Sequence, residues 1–268
     1  MKLSELYQLA DAIAPKSLSD EFCANYHSYD NSGILVDTGD EVKKVLFSLD
    51  LSNAAIEKAV NLGANVIVTH HPAIFGSINH ISAQEFNPLG EKLVKCIRKG
   101  ISVISMHLNL DCAEGGIDES LQEGITTATG GEKTSAALMN VLSIGGYGRA
   151  YDVKECTLAQ LKESMEKEFS TSRIHLYGKE NAIVRRVASF CGGGADEKAV
   201  EFAVAQGADV MISSDFKHHI LTLANERGIA VLTLTHYASE YYGFKKYYEK
   251  ISRQVGIECF CFCEDSLL

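Results

Sequence analysis

Val66-Ile67-Val68-Thr69-His70-His71-Pro72-Ala73-Ile74-Phe75 is a short β-branched run that ends in two histidines and a proline. Valine and isoleucine at this density suit a covered, pleated surface, so the run reads as a buried strand. Pro72 has no amide hydrogen and pushes His71 towards an extended conformation, which stops the strand there. Two imidazoles therefore stand at the carboxyl end of a strand, where open α/β sheets hold their ligands. Neighbouring strand residues point to opposite faces, so His70 and His71 are not placed to chelate one ion together. Each can hold a different ion, which turns the search to further ligands elsewhere in the chain.

Upstream of this stretch, residues 42–51 read as a strand, and Ser52 or Asn53 caps a helix that stops at Gly63. Strand, helix and strand with short joints make a βαβ unit, so the sheet is at least partly parallel. Downstream, a helix over residues 88–99 ends at Gly100 and feeds a strand over 101–106, which delivers His107-Leu108-Asn109-Leu110-Asp111. Residues 3–13 have apolar side chains at helical spacing, and Asp30-Asn31-Ser32-Gly33 is a turn. A short helix is expected after Gly115-Gly116. Residues 124–137, rich in Thr, Gly, Ala and Ser, read as a joint between a first α/β lobe, 1–125, and a second, 126–268.

In the second lobe a strand near 148–153 precedes a helix over 158–169, opened by a Thr157/Gln160 capping box. Strands near 174–177 and 187–190 lead to Cys191-Gly192-Gly193-Gly194, then a helix over 195–206 and a strand over 209–213. A helix ending at Gly228, a strand over 229–234, a helix from Ser239 and a last strand over 258–263 complete the chain. The two lobes echo each other. Ala55-Ile56-Glu57, Ala59-Val60 and Gly63-Ala64-Asn65-Val66 align with Ala199-Val200-Glu201, Ala203-Val204 and Gly207-Ala208-Asp209-Val210. Gly100-Ile101 likewise aligns with Gly228-Ile229. Behind each of these glycines a strand ends in a histidine with a carboxylate four positions later, His107 with Asp111 and His236 with Glu240.

With 268 residues, 46% hydrophobic and 22% charged, the chain is long enough for a full core and has the composition of a soluble globular protein. Its formal net charge of −10 argues against a broad phosphate-binding surface and so against bulk nucleic-acid binding. No apolar run approaches the ~20 residues that span a bilayer. Eight cysteines without a secretory leader imply a reduced, cytoplasmic protein.

His70, His71, His107, Asp111, His236 and Glu240 all fall at or just beyond the carboxyl end of an expected strand. Imidazole with carboxylate suits Zn, Fe, Mn, Co or Ni, and the absence of cysteine from the set disfavours a structural zinc site. A carboxylate can bridge two cations, and such a pair is the usual clamp for hydrolysis. Any one of these histidines alone would read as a buried polar residue; six such groups at equivalent strand ends do not. Gly192-Gly193-Gly194 reads either as a phosphate cradle or as a tight strand-to-helix turn. Cys259, Cys261 and Cys263 share one face of a strand and read as packing, as does Cys112. Tyr241, Tyr242, Tyr247 and Tyr248 read as packing or subunit contact.

Taken together, Asp30-Asn31-Ser32-Gly33, Thr69-His70-His71-Pro72 with Phe75, and His107-Leu108-Asn109-Leu110-Asp111 with Gly115-Gly116 resemble a known family. Cys191-Gly192-Gly193-Gly194, Gly207-Ala208-Asp209, Ser213-Ser214-Asp215-Phe216-Lys217-His218-His219 and His236-Tyr237-Ala238-Ser239-Glu240 extend the resemblance over nearly the whole chain. The family is the dinuclear-metal-centre proteins known as GTP cyclohydrolase 1 type 2 homologues, or Ngg-interacting-factor-like proteins. The resemblance implies two similar α/β lobes with mixed sheets, a metal site in the cleft between them and a ring-shaped homohexamer. It implies two divalent transition-metal ions per subunit on His70, His71, Asp111, His236 and Glu240, with Glu240 bridging and catalytic. His107 and His219 match positions lining the site, and His107 is the second candidate catalytic residue. The implied activity is hydrolysis of a nucleotide-like small molecule; the alternative is a non-enzymatic metal-binding scaffold acting through its ring.

The chain departs from that pattern at Tyr29, where Trp is usual, at Ser213-Ser214 in place of Thr-Gly, and at Thr235 in place of Gly, which narrows the approach to the metals. Between Asp118 and Arg185 there is no room for the middle domain some members carry, so this is a short form.

Overall fold

The structure is a computed structural model that describes residues 1–84 and 87–268. It divides into two compact α/β units, Met1–Ala113 with Phe244–Cys263, and Glu114–Gly243 with Glu264–Leu268.

The first unit runs α1 (Leu3–Ile13), α2 (Lys16–Tyr26), β1 (Gly33–Val36), β2 (Lys44–Ser48), α3 (Asn53–Leu62), β3 (Val66–Thr69), α4 (Pro88–Arg98), β4 (Ser102–Ser105) and α5 (Leu108–Cys112). Its sheet has the order β1-β4-β3-β2-β11, where β11 (Glu258–Cys261) comes from the far end of the chain. β2, β3, β4 and β11 are parallel, and β1 is antiparallel to β4. All four residues of β3 are buried, as a parallel strand covered on both faces requires. Alternation sorts the two faces. Leu46, Ile67 and Val103 pack with Ile56, Ala59, Leu93 and Cys96 of α3 and α4. Phe47 turns the other way, its ring centroid 6.3 Å from that of Phe244 and 5.4 Å from that of Tyr248.

The second unit runs α6 (Ile117–Ala128), β5 (Ala137–Val141), β6 (Gly146–Thr157), α7 (Leu158–Glu168), β7 (His175–Tyr177), β8 (Ile183–Ser189), α8 (Glu197–Ala205), β9 (Val210–Ser213), α9 (His218–Glu226), β10 (Ala230–Thr233) and the start of α10 (His236–Ser252). Its sheet order is β5-β6-β8-β9-β10-β7, with β8, β9 and β10 parallel and β5, β6 and β7 antiparallel to their neighbours. Thr157 and Gln160 form the expected capping box. Residues 118–185 are taken up by this unit's own elements, α6 to the start of β8.

The echo between the halves is a repeated topology. β1-β4-β3-β2 in one sheet matches β7-β10-β9-β8 in the other, with the antiparallel edge strand in the same place. Hydrogen bonds repeat too: Asn65 N donates to Lys44 O and Ser102 N to Asn65 O, as Asp209 N does to Arg186 O and Ala230 N to Asp209 O. Gly63 and Gly207 both follow a helix with φ near +68° (69° and 67°), a conformation that disfavours any side chain.

The contiguous division at 125/126 does not hold. β11 pairs with β2, so the residues from Phe244 through that strand belong to the first unit. Gly124 is no joint either, since it lies inside α6, where a β-carbon would strike the Phe169 ring. α2, β1, β5 and α5 are additions to the expected elements, and α10 starts three residues before Ser239 because Thr235 Oγ1 accepts from Ala238 N at 3.0 Å.

Candidate metal centre

In the first unit, β3 and β4 end side by side and release His70-His71 and His107 at the same edge of the sheet. One ring nitrogen from each of His70, His71 and His107 lies within 4.8 Å of the others. His70 is fully buried, and its Nδ1–H donates to the Met106 carbonyl at 2.8 Å. Its Nε2 faces Asp111 Oδ1 at 3.5 Å, and Asp111, on α5, is itself buried. His71 Nδ1 lies 2.8 Å from Asp50 Oδ1, and His107 Nδ1 lies 2.7 Å from Asp30 Oδ1.

A backbone carbonyl and an ionised carboxylate only accept hydrogen bonds, so in all three rings Nδ1 carries the hydrogen. Nε2 of each neutral ring is left as the lone-pair nitrogen. Asp30 is deeply placed: burial pushes its carboxyl up, but the hydrogen bond from His107, with those from the Ser19 and Ser32 hydroxyls, outweighs this and holds it well below the usual carboxylate range.

The second unit offers a smaller set. His236 and Glu240 occupy successive turns on one face of α10, with His236 Nε2 and Glu240 Oε1 3.1 Å apart. His236 Nδ1 is held by Asp215 Oδ2, repeating the carboxylate–imidazole arrangement of the first unit. Glu240 is buried, and Gly192 is the reason it fits: a β-carbon there would collide with Glu240 Oε1 and lie 3.3 Å from His236 Nε2. The Gly192 amide donates to Ser239 Oγ, and its carbonyl accepts from Ser213 and Ser214. Gly194 abuts the Tyr147 hydroxyl. The glycine run is thus a tight turn packed against α10, with the Gly192 amide turned to Ser239.

These donors fit a divalent transition metal. Neutral imidazoles with Nδ1 tied to a carboxylate or carbonyl, beside buried carboxylates and without thiolate, are the usual surroundings of such ions. The three tethering acids, Asp30, Asp50 and Asp215, are site residues that spacing alone did not single out; Asp30 and Asp215 stood inside motifs without a role. His219 stands apart. It is exposed on α9, its Nε2 3.1 Å from Glu197 Oε1, and belongs to none of the ligand clusters among the described residues. Thr235, where glycine was expected, serves as the cap of α10.

A mixed-sheet α/β fold with histidine and carboxylate clusters at strand ends defines a class of candidate metal-binding proteins. The chain belongs to the Duf34/NIF3 (NGG1p interacting factor 3) family, whose model matches residues 1–266. A protein of Clostridium perfringens named GTP cyclohydrolase 1 type 2 homolog is 28% identical over 259 residues, 95% of this chain and 93% of that protein. The NGG1-interacting factor 3 of Saccharomyces cerevisiae is 27% identical, over 89% of this chain and 86% of the relative. Among solved structures, reduced HcgD from Methanocaldococcus jannaschii superposes with a TM-score of 0.79 at 26% identity, covering 97% of each chain.

Proposed function

We propose that this protein is a metal-dependent hydrolase of a nucleotide-like small molecule. Two divalent transition-metal ions are held by His70, His71, Asp111, His236 and Glu240, with Glu240 shared by both. The observation that carries this reading is the common tethering of the imidazoles: His70, His71, His107 and His236 each have Nδ1 bound to a carbonyl or carboxylate. Tethering fixes the tautomer and makes Nε2 a better donor, an arrangement expected of ligands rather than of scattered core histidines.

When bound, such a metal pair supplies an activated water and a counter-charge for the developing anion. Asp111 and Glu240, both buried, provide the negative charge that holds the cations in place. His107, backed by Asp30, accepts a proton at Nε2 from the attacking water. A nucleotide-like substrate follows from the name shared by the bacterial relatives, GTP cyclohydrolase 1 type 2 homolog. Assembly as a homohexamer follows from the family resemblance, and light scattering that gives a monomer mass at micromolar concentration would remove it.

The yeast relative's name favours a second reading, a metal-binding scaffold that engages a protein partner. Turnover decides between the two. Metal-loaded protein is assayed against nucleotides and phosphoesters beside the Glu240→Gln variant. Hydrolysis that the variant loses supports the enzyme; an inactive panel with two ions bound supports the scaffold.

A further inference from the structure

The antiparallel edge strands β1 and β7 each start where the neighbouring strand ends. In the first unit Gly33 of β1 lies opposite Ser105 of β4, and Asp30, just ahead of β1, reaches His107. In the second unit His175 of β7 lies opposite Thr233 of β10, the strand that leads to His236. Here His236 takes its carboxylate from Asp215, after β9. The start of β7 is thereby released from holding the histidine, and it carries Arg173 and His175 instead of an acid.

These residues line a cleft of about 360 Å³ whose wall includes His236, Thr233, Thr235 and Tyr177, a size within the ~300–1,000 Å³ usual for small-molecule sites. Asp215 is its one acid, and that carboxylate is engaged by His236. Arg149, Arg185 and Arg186 of the same unit each face a carboxylate. Arg173 has no carboxylate partner among the described residues; its guanidinium donates one bond, to the Ser266 carbonyl. The remaining donors of its planar fork are available, in the geometry that suits a phosphate.

We propose that this cleft binds a phosphate group, with Arg173 as its counter-ion and His175 beside it. As the subsite for the phosphate end of a substrate it rests on the hydrolase reading; as an anion site it stands on the cleft alone.

The test titrates inorganic phosphate into the full-length, metal-loaded protein, followed by calorimetry, with metal content and thermal stability measured in parallel. Arg173→Met is expected to weaken phosphate binding about tenfold or more, because charge-assisted hydrogen bonds are lost, and to leave bound metal unchanged. Arg173→Lys retains part of the affinity, since the charge stays and the fork goes. Because Arg173→Met also loses the Ser266 contact, His175→Gln is run beside it and is expected to weaken phosphate binding without changing stability. Equal affinity in the wild type, Arg173→Met and His175→Gln would overturn the proposal, since phosphate would then sit on the metals alone. Absence of phosphate binding by the wild type would overturn it too. Arg173-dependent binding in a protein that hydrolyses nothing would keep the anion site and discard the hydrolase.

Discussion

The carboxylate Oε1 of Glu240 occupies the space where a β-carbon on residue 192 would stand. Gly192→Ala therefore has two costs, a clash with Glu240 and a backbone at φ +55°, which disfavours any side chain by roughly 1 kcal/mol. Gly207→Ala separates them. Gly207 has φ +67°, yet nothing lies within 4 Å of a β-carbon there. Both variants are expected to melt a few degrees lower, but only Gly192→Ala should lower metal affinity, by about tenfold or more as a displaced ligand would. Equal metal titration curves for the two variants would refute a ligand role for Glu240.

Asp50 and Asp215 tether His71 and His236 from partly exposed positions, so their charges add little to stability. Asp50→Asn and Asp215→Asn should each lower metal affinity about 10–100-fold, the usual effect of removing a partner of a ligating histidine. The metal-free proteins should melt as the wild type does. Retained affinity in both variants, measured by competition with a chelating dye, would show that tethering does not serve metal binding.

What could be read from sequence was local. The β3 strand and its halt at His70 and His71 follow from β-branching and a proline, and the Thr157 box and the stops at Gly63 and Gly100 follow from capping chemistry. β1 was not legible, because its four residues become a strand only by antiparallel pairing with β4, about 70 residues away. α2 was missed because its apolar pattern is weak, with only Leu18 and Ser19 buried. Asp30, Asp50 and Asp215 find their histidines across 77, 21 and 21 residues, so their pairing is purely tertiary. The return of β11 to the first sheet is likewise a long-range pairing that no local pattern announces.

Glu119 ties the start of α6 to Lys133 and to the Gly115 amide, which it accepts at 2.7 Å. Burial raises its pKa, but these two bonds, with the charges of Arg149 and Lys133, outweigh that and leave it lowered. A lowered folded-state pKa adds stability above the unfolded value of about 4.3 and loses it as pH falls through the folded value. Lys133, whose pKa is raised, keeps its contribution until pH rises past the ordinary lysine range. Glu119→Gln should thus cost about 1 kcal/mol at pH 7, allowing for the solvent screening of Lys133. The gap to the wild type should close as pH drops below about 4. Denaturant unfolding at neutral and acid pH measures it, and a pH-independent gap would exclude the ionic account.

The roles of Glu240 and His107 can be separated by a matched pair of substitutions. Glu240→Gln keeps shape and volume but removes a negative charge that, in the proposed centre, two cations share. A directly ligating group should matter at least as much as the partner of a ligand, so metal affinity should fall by about 10–100-fold or more. Hydrolysis should fall with it, because the metal pair positions the attacking water. His107→Gln, in contrast, should leave two ions bound and lower turnover by about 10²–10⁴-fold, the usual contribution of a general base. His107 lies among the ring nitrogens of His70 and His71, so this outcome is not trivial. Elemental analysis after reloading, paired with turnover, reads both roles at once. Loss of an ion in His107→Gln would make His107 a ligand, and unchanged two-ion binding in Glu240→Gln would remove the bridging carboxylate from the centre.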